Sequence, residues 1–180
     1  MMKLHPKSQR SQRAAAAAPR RTPELCDANE LLMVEGRLRV FPPVFQNYGG
    51  AENMAGPVVT LRCFEDNGLI RQTLSQPGNG RVLVVDGGGS DRCALVGGDL
   101  AGLAERQGWA GMVIHGCVRD LSELIEAQVG VWAISNHPRK PATASLGARD
   151  VAIDVAGVLV RPGEYLVADA DGILVSEKIL

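Results

Sequence analysis

A chain of 180 residues, 46% hydrophobic and 22% charged, has the balance of one globular domain with or without a tail. No apolar run approaches the roughly 18 residues that a membrane-crossing helix needs. The formal charge of -1 hides an asymmetry: six of the 19 basic residues (Lys3, Lys7, Arg10, Arg13, Arg20, Arg21) lie in residues 1–21, leaving 13 against all 20 acidic ones. An acidic body argues against direct nucleic-acid binding, because phosphate repels it. The four cysteines, Cys26, Cys63, Cys93 and Cys117, form no C-x-x-C pair, so free thiols in a reducing compartment, and a cytoplasmic location, are expected.

Residues 1–21 are basic, free of acid and carry the run Ala14–Ala18. Three readings stay open: a disordered extension or imprecise start, an Arg-rich organelle transit peptide, or an RNA-binding arm. A single folded domain is expected over 22–180. Thr22-Pro23-Glu24-Leu25 reads as a helix start, with Thr22 as N-cap and Pro23 at the first helical position, running towards Asn29. Leu38–Phe41 reads as a strand stopped by Pro42-Pro43. Gly56-Pro57 introduces the β-branched strand Val58–Cys63, and Asn67–Leu74 reads as a short helix. Val82–Asp86 is a continuous apolar run, expected to be a strand buried on both faces. The Gly87–Ser90 turn follows, then helical residues to about Gln107, broken at Gly97-Gly98. Gly111–Gly116 is a strand, Asp120–Gln128 a helix and Val129–Ile134 a strand. This alternation predicts an α/β fold with central, parallel β-α-β units. Val151–Val155, Val158–Val160, Tyr165–Ala168 and Gly172–Val175 predict an antiparallel section, so the sheet as a whole is mixed.

In open parallel sheets, ligands bind beyond the carboxyl ends of the strands. Two such ends are rich in functional groups: Asp86–Ser90 and Gly116–Asp120. Gly87-x-Gly89-x-x-Arg92 fails the dinucleotide pattern at its third glycine, and no phosphate loop of the G-x-x-x-x-G-K-[ST] kind exists, so Gly87–Gly89 reads as a tight turn. Gly97-Gly98-Asp99-Leu100 precedes a helical run whose N–H groups and dipole can take a carboxylate. Arg119 adds a guanidinium able to grip a carboxylate twice, and Asp120 an oxygen ligand for a hard divalent ion. The bland reading of Arg119-Asp120 is a helix-start acid beside a surface arginine, and the buried strand before it makes the pair a candidate site. His5, His115 and His137 have no zinc-like spacing, and His115 reads as a strand residue with a satisfied hydrogen bond. Cys117 reads as a small buried side chain rather than a nucleophile, since nothing marks a paired base.

Several stretches together resemble one known family: Thr22–Asn29, Ala55–Thr60, Phe64–Asn67, Val82–Ser90, Gly108–Gly111, Gly116–Asp120, His137–Lys140 and Ala168–Ile173. It is the family named for the regulator of ribonuclease E activity A, whose members include 4-hydroxy-4-methyl-2-oxoglutarate aldolases. The resemblance runs over about residues 22–177, in register. It implies a β/β/α swivelling-type domain assembled as a homotrimer with sites between subunits. It also implies a lyase that splits 4-hydroxy-4-methyl-2-oxoglutarate into two pyruvates and decarboxylates oxaloacetate, both through a pyruvate enolate. In family terms the backbone of Gly97, Gly98, Asp99 and Leu100 and the side chain of Arg119 hold substrate, with Arg119 and Asp120 catalytic and Asp120 the ligand of a divalent cation.

The residues agree with that chemistry. Cleavage beside a ketone needs a place for the developing negative charge, supplied by a lysine imine or by a metal. The four lysines are Lys3, Lys7, Lys140 and Lys178, and none lies in a buried strand. A metal is therefore favoured, with Mg²⁺ or Mn²⁺ suiting oxygen ligands better than zinc. Two departures bear on activity. Many members carry Asp where this chain has Gly98, followed by Asp99, and the strong aldolases tend to extend beyond the position of Leu180. Minor or absent aldol cleavage is the expectation that follows. The competing expectation is a regulator without catalysis that docks on a ribonuclease and inhibits it.

Overall fold

The computed structural model describes residues 21–180. The readings made for the basic segment lie outside the described residues, apart from Arg21, whose guanidinium pairs with Asp171 at 3.0 Å. The first helix, α1 (Thr22–Ala28), leads into α2 (Glu30–Val34) and β1 (Leu38–Val40). Thr22 is not the N-cap expected of it. Arg21 takes that position, and Thr22 spends its N–H and hydroxyl on Asp169, at 2.7 Å each. Long-range anchoring has displaced the local cap.

The next elements are β2 (Gln46–Asn47), β3 (Met54–Arg62), α3 (Gly68–Leu74), β4 (Val82–Asp86), β5 (Ala94–Val96) and α4 (Gly98–Arg106). They are followed by β6 (Gly111–Val118), α5 (Leu121–Leu124), β7 (Gly130–Asn136), β8 (Ala148–Arg149), β9 (Ile153–Val155), β10 (Val158–Val160), β11 (Tyr165–Asp169) and β12 (Gly172–Ser176). The main sheet has ten strands in the path β1-β12-β11-β3-β4-β6-β7-β2, with β5 on β6 and β8 on β3. Its centre, β3-β4-β6-β7, is parallel, while β11, β12 and β1 pair antiparallel on one flank and β2 on the other. The fold is therefore α/β with a mixed sheet, as the sequence predicts. Among the described residues no helix is long and apolar enough to cross a membrane.

Both faces of the parallel centre are covered, which is why Val82–Val85 of β4 and Met112–Ile114 of β6 read as apolar runs. On one face Leu61, Leu83, Val85, Met112 and Ile114 pack with Ile70 and Leu74 of α3 and Leu100 and Ala104 of α4. On the other, Val82, Val84 and Val113 pack with Ile153, Val155 and Val160 of the β9–β10 hairpin. Leu25 of α1 closes a third cluster over β11 and β12, with Leu38, Val167 and Leu174.

Three expectations are corrected. The strand placed at Val58 begins at Met54 and runs through Gly56-Pro57. Proline is accepted there because pairing with β4 starts only at Val58, so Pro57 has β11 alone as a ladder neighbour. The stretch after Ser90, expected to be helical, forms β5 first. Ala94 and Val96 pair in parallel with Cys117 and Val118, and this long-range pairing overrides weak local preference. The helix expected to reach Gln128 stops at Leu124, because the carbonyls of Ala127 and Val129 are taken by Gly50 and Ala51 N–H groups from the segment before β3.

The Asp169 anchor makes α1 docking dependent on pH. Burial works against its charge, but the Thr22 N–H and hydroxyl and the Asp171 and Gly172 N–H groups outweigh it. They hold the carboxyl below the ordinary aspartate range. A folded value below the unfolded one of about 3.9 means that this stabilisation is complete above about pH 4 and is lost as pH falls through the folded value. Amide exchange in 22–28 is expected to quicken below pH 4 in the native chain. In Asp169→Asn it is expected to be fast already at pH 7.

Candidate active site

Beyond the carboxyl end of β6, Arg119 and Asp120 face the first turn of α4 across a cleft of about 150 Å³. The two halves are clamped through the backbone: Arg119 N–H donates to the Val96 carbonyl at 2.9 Å, immediately before Gly97. Asp120 sits at φ 58°, in the left-handed region. A non-glycine residue pays strain there, least of all Asp and Asn, and such outliers cluster at functional sites. The conformation turns the chain sharply out of β6 into α5. It leaves Asp120 Oδ2 3.3 Å from Arg119 Nε, with both side chains more than a third exposed.

Gly97 and Gly98 are what let these side chains come so close. A Cβ on Gly97 would lie 2.5 Å from Asp120 Oδ2 and 3.3 Å from Arg119 Cγ, and one on Gly98 would run into the Glu123 carboxylate. The helix that follows has Gly97 as N-cap with no side-chain cap. Leu100 N–H donates to the Gly97 carbonyl at 3.1 Å, and the Gly98 and Asp99 N–H groups ahead of it stay free at the positive end of the dipole. Gly97, Gly98, Asp99, Leu100, Arg119 and Asp120 are thus brought together as expected, around a helix start able to hold a carboxylate.

Sequence reasoning missed four contributors. Glu123 lies against Gly98, one turn beyond Asp120, a placement that the i, i+3 spacing alone could have suggested. Arg71 of α3 lines the cleft, as does Lys140. Lys140 is exposed rather than enclosed in an apolar pocket of the kind an imine-forming lysine uses. Asp66 is 2% exposed and accepts N–H groups from Gly68, Ala144 and Ser145, which fixes the loop carrying Lys140 and Thr143 over the site.

The second glycine-rich end is a turn, as expected: Gly88 and Gly89 take φ of 68° and 65°. The expectation for His115 is corrected. Its Nδ1 is buried without a hydrogen-bond partner, 3.8 Å from Asp86 Oδ1. The Phe45 ring lies beside it, tilted, with 6.2 Å between centroids. Burial opposes the Asp86 charge, but His115 and the Gly88 N–H outweigh it and hold the carboxyl below its usual range. Cys117 is buried and burial pushes its thiol up, as burial with neighbouring acids pushes Cys63 up to about 12, so neither is an activated nucleophile.

Among the described residues no group of three or more His, Cys, Asp or Glu side chains gathers as a ligand set. Mg²⁺ is commonly held by one or two carboxylates plus substrate oxygens, and Asp120 is the exposed carboxylate beside the first turn of α4 that could serve one.

Known proteins share this architecture. A protein of Burkholderia mallei (strain SAVP1), provisionally named 4-hydroxy-4-methyl-2-oxoglutarate aldolase, is 55% identical over 88% of this chain and 96% of its own length. The solved structure of the RNA-processing inhibitor RraA from Thermus thermophilis superposes with a TM-score of 0.84 at 45% identity, covering 91% of this chain and 96% of that one. A Geobacillus kaustophilus HTA426 structure, described as an S-adenosylmethionine: 2-dimethylmenaquinone methyltransferase, gives a TM-score of 0.83 at 44% identity over 89% of this chain and 97% of that one. The model of the RraA-like family, described as Aldolase/RraA, matches residues 22–175, and the chain belongs to that family.

Proposed function

We propose that the cleft between α4 and Arg119-Asp120 is the active site of a divalent-metal-dependent lyase acting on 2-oxo acids. It would cleave 4-hydroxy-4-methyl-2-oxoglutarate to two pyruvates and decarboxylate oxaloacetate. The observation that carries this reading is the convergence of the uncapped first turn of α4, the Arg119 guanidinium and the Asp120 carboxylate on one small cleft. The name of the Burkholderia relative supports the substrate.

The free N–H groups at the start of α4 hold the substrate's 1-carboxylate. Arg119 donates to the 2-oxo oxygen, where negative charge develops as the bond between C3 and C4 breaks. In aldol cleavage the 4-hydroxyl loses its proton and becomes the carbonyl of one pyruvate. The other pyruvate leaves C3 as an enolate that must be protonated. In decarboxylation of oxaloacetate, carbon dioxide departs and the same enolate remains. Asp120 would hold Mg²⁺ or Mn²⁺, which supplies Lewis-acid polarisation when bound. Gly97 keeps the floor of the site open for these groups, since any side chain there would collide with Asp120.

The test is pyruvate release from each substrate with Mg²⁺ and with EDTA, beside an Asp120→Asn variant and a protein-free metal control. Metal-dependent turnover above the control, lost in the variant, is the expected result. A second reading, a regulator that binds a ribonuclease, draws on the Thermus relative described as an RNA-processing inhibitor and on a Streptomyces coelicolor structure described as a member of an RNase ES inhibitor family. Absence of turnover on both substrates, together with a ribonuclease complex formed equally well by Asp120→Asn, would replace the lyase with the regulator.

A further inference from the structure

The cleft carries cations beyond the one that faces Asp120. Arg71, Arg119 and Lys140 line it, against the carboxylates of Asp99 and Asp120. Arg119 is engaged with Asp120. Among the described residues, Arg71 and Lys140 form no ion pair. Surface cations are often unpaired, but these two belong to different segments of chain and share one cleft of about 150 Å³.

Their backbones are fixed independently of any ligand. The residue before Lys140 accepts from Ala94 N–H at 2.8 Å through its carbonyl, and two residues after it Ala142 N–H donates to the Glu65 carbonyl at 2.8 Å. Asn67, at the head of α3, donates its N–H to the Ala142 carbonyl and its side-chain amide to the Leu95 carbonyl. Arg71 N–H in turn donates to the Asn67 carbonyl at 3.0 Å. One stitched unit therefore carries Lys140, Arg71 and the strand that leads into Gly97. The stems are preorganised, and only the side-chain ends remain to be ordered by a ligand.

We propose that Arg71 and Lys140 bind the distal carboxylate of a dicarboxylic 2-oxo acid and set the preference for dicarboxylates over monocarboxylates. The orientation, with the 2-oxo acid end at Arg119 and α4, rests on the lyase reading. Arg71 offers a planar fork and Lys140 a point charge, a combination that grips a carboxylate from two sides. A substrate lacking that carboxylate leaves both cations without a partner and gains nothing from them.

The test compares 4-hydroxy-4-methyl-2-oxoglutarate with 4-hydroxy-2-oxopentanoate, which lacks the second carboxylate, using the full chain and its Lys140→Met, Arg71→Met and Lys140→Arg variants. Both positions of change are exposed in the fold, and thermal melts check that each variant is folded. Each Met variant is expected to lower kcat/KM for the dicarboxylate on the order of tenfold, mainly through KM, since a hydrogen bond to a charged group is lost. The monocarboxylate is expected to change less than twofold, and Lys140→Arg to restore most of the preference. Equal loss on both substrates, or loss on neither, overturns the proposal. If the native chain turns over neither substrate, calorimetric titration with 2-oxoglutarate and 2-oxobutanoate decides. Preference for the dicarboxylate, abolished in the double Met variant, upholds the subsite while the lyase reading falls. Equal binding, or none, overturns the subsite as well.

Discussion

Arg119→Ala is expected to lower kcat for pyruvate release by about 10²–10³, the usual loss when a donor to a developing oxyanion is removed. KM should also rise, because the guanidinium helps to hold the substrate. Arg119→Lys keeps the charge but not the planar fork, so an intermediate rate is expected. The fold should tolerate both changes, since the residue is tied down by its backbone N–H to Val96 and its side chain is over a third exposed. Asp120 needs a subtler substitution. At φ 58°, alanine would add backbone strain to the loss of the carboxylate, whereas asparagine accepts the left-handed region and removes only the charge. Asp120→Asn is expected to abolish dependence on the divalent cation while leaving the melting temperature within a few degrees of the native chain. Steady-state rates with and without EDTA, read beside thermal melts, check both. Full lyase rates in Arg119→Ala and Asp120→Asn together would remove the cleft from the reaction.

What the sequence showed and what it hid divide along one physical line. The runs Val82–Asp86 and Gly111–Gly116 are legible because burial on both faces favours apolar residues along most of each strand. Arg119-Asp120 is legible because it follows such a run directly, where a parallel sheet puts its ligands. The antiparallel end is legible through its turns at Gly157, Gly163 and Gly172. Strand β5 was hidden, because Ala94-Leu95-Val96 carries no period long enough to separate it from a helix, and only pairing with the end of β6 decides. The two-residue strands β2 and β8 have no period at all. Arg71 and Lys140 line the cleft and Glu123 lies against Gly98, and nothing local says that the chain brings these three separate segments together. Gly97-Gly98 was read as a start for a helix, yet its deeper constraint is the approach of Asp120 and Glu123 from a segment more than twenty residues later.

Asp66→Ala is expected to be the most damaging single change away from the cleft itself. The carboxylate is 2% exposed and accepts three backbone N–H groups, from Gly68 at 2.9 Å, Ala144 at 2.7 Å and Ser145 at 3.0 Å. Its removal takes the acceptor from three part-buried N–H groups and cuts the tie between α3 and the loop that carries Lys140 and Thr143. A loss of about 2–4 kcal/mol is expected, since bonds to a charged acceptor are the strong ones and each orphaned donor adds its own penalty. For a chain of this size that is a fall in Tm of roughly 5–15 °C. Asp66→Asn should fall between, because its amide nitrogen cannot accept one of the three. The same variants separate positioning from plain stability. At a temperature where Asp66→Asn is fully folded, its KM for a dicarboxylic substrate should rise while amide exchange quickens at Ala144 and Ser145 and stays slow in the strands β4 and β6. A uniform rise in exchange across the sheet would make Asp66 a general support of the fold. Exchange confined to the loop, with KM raised, would make it the residue that holds the distal half of the cleft in place.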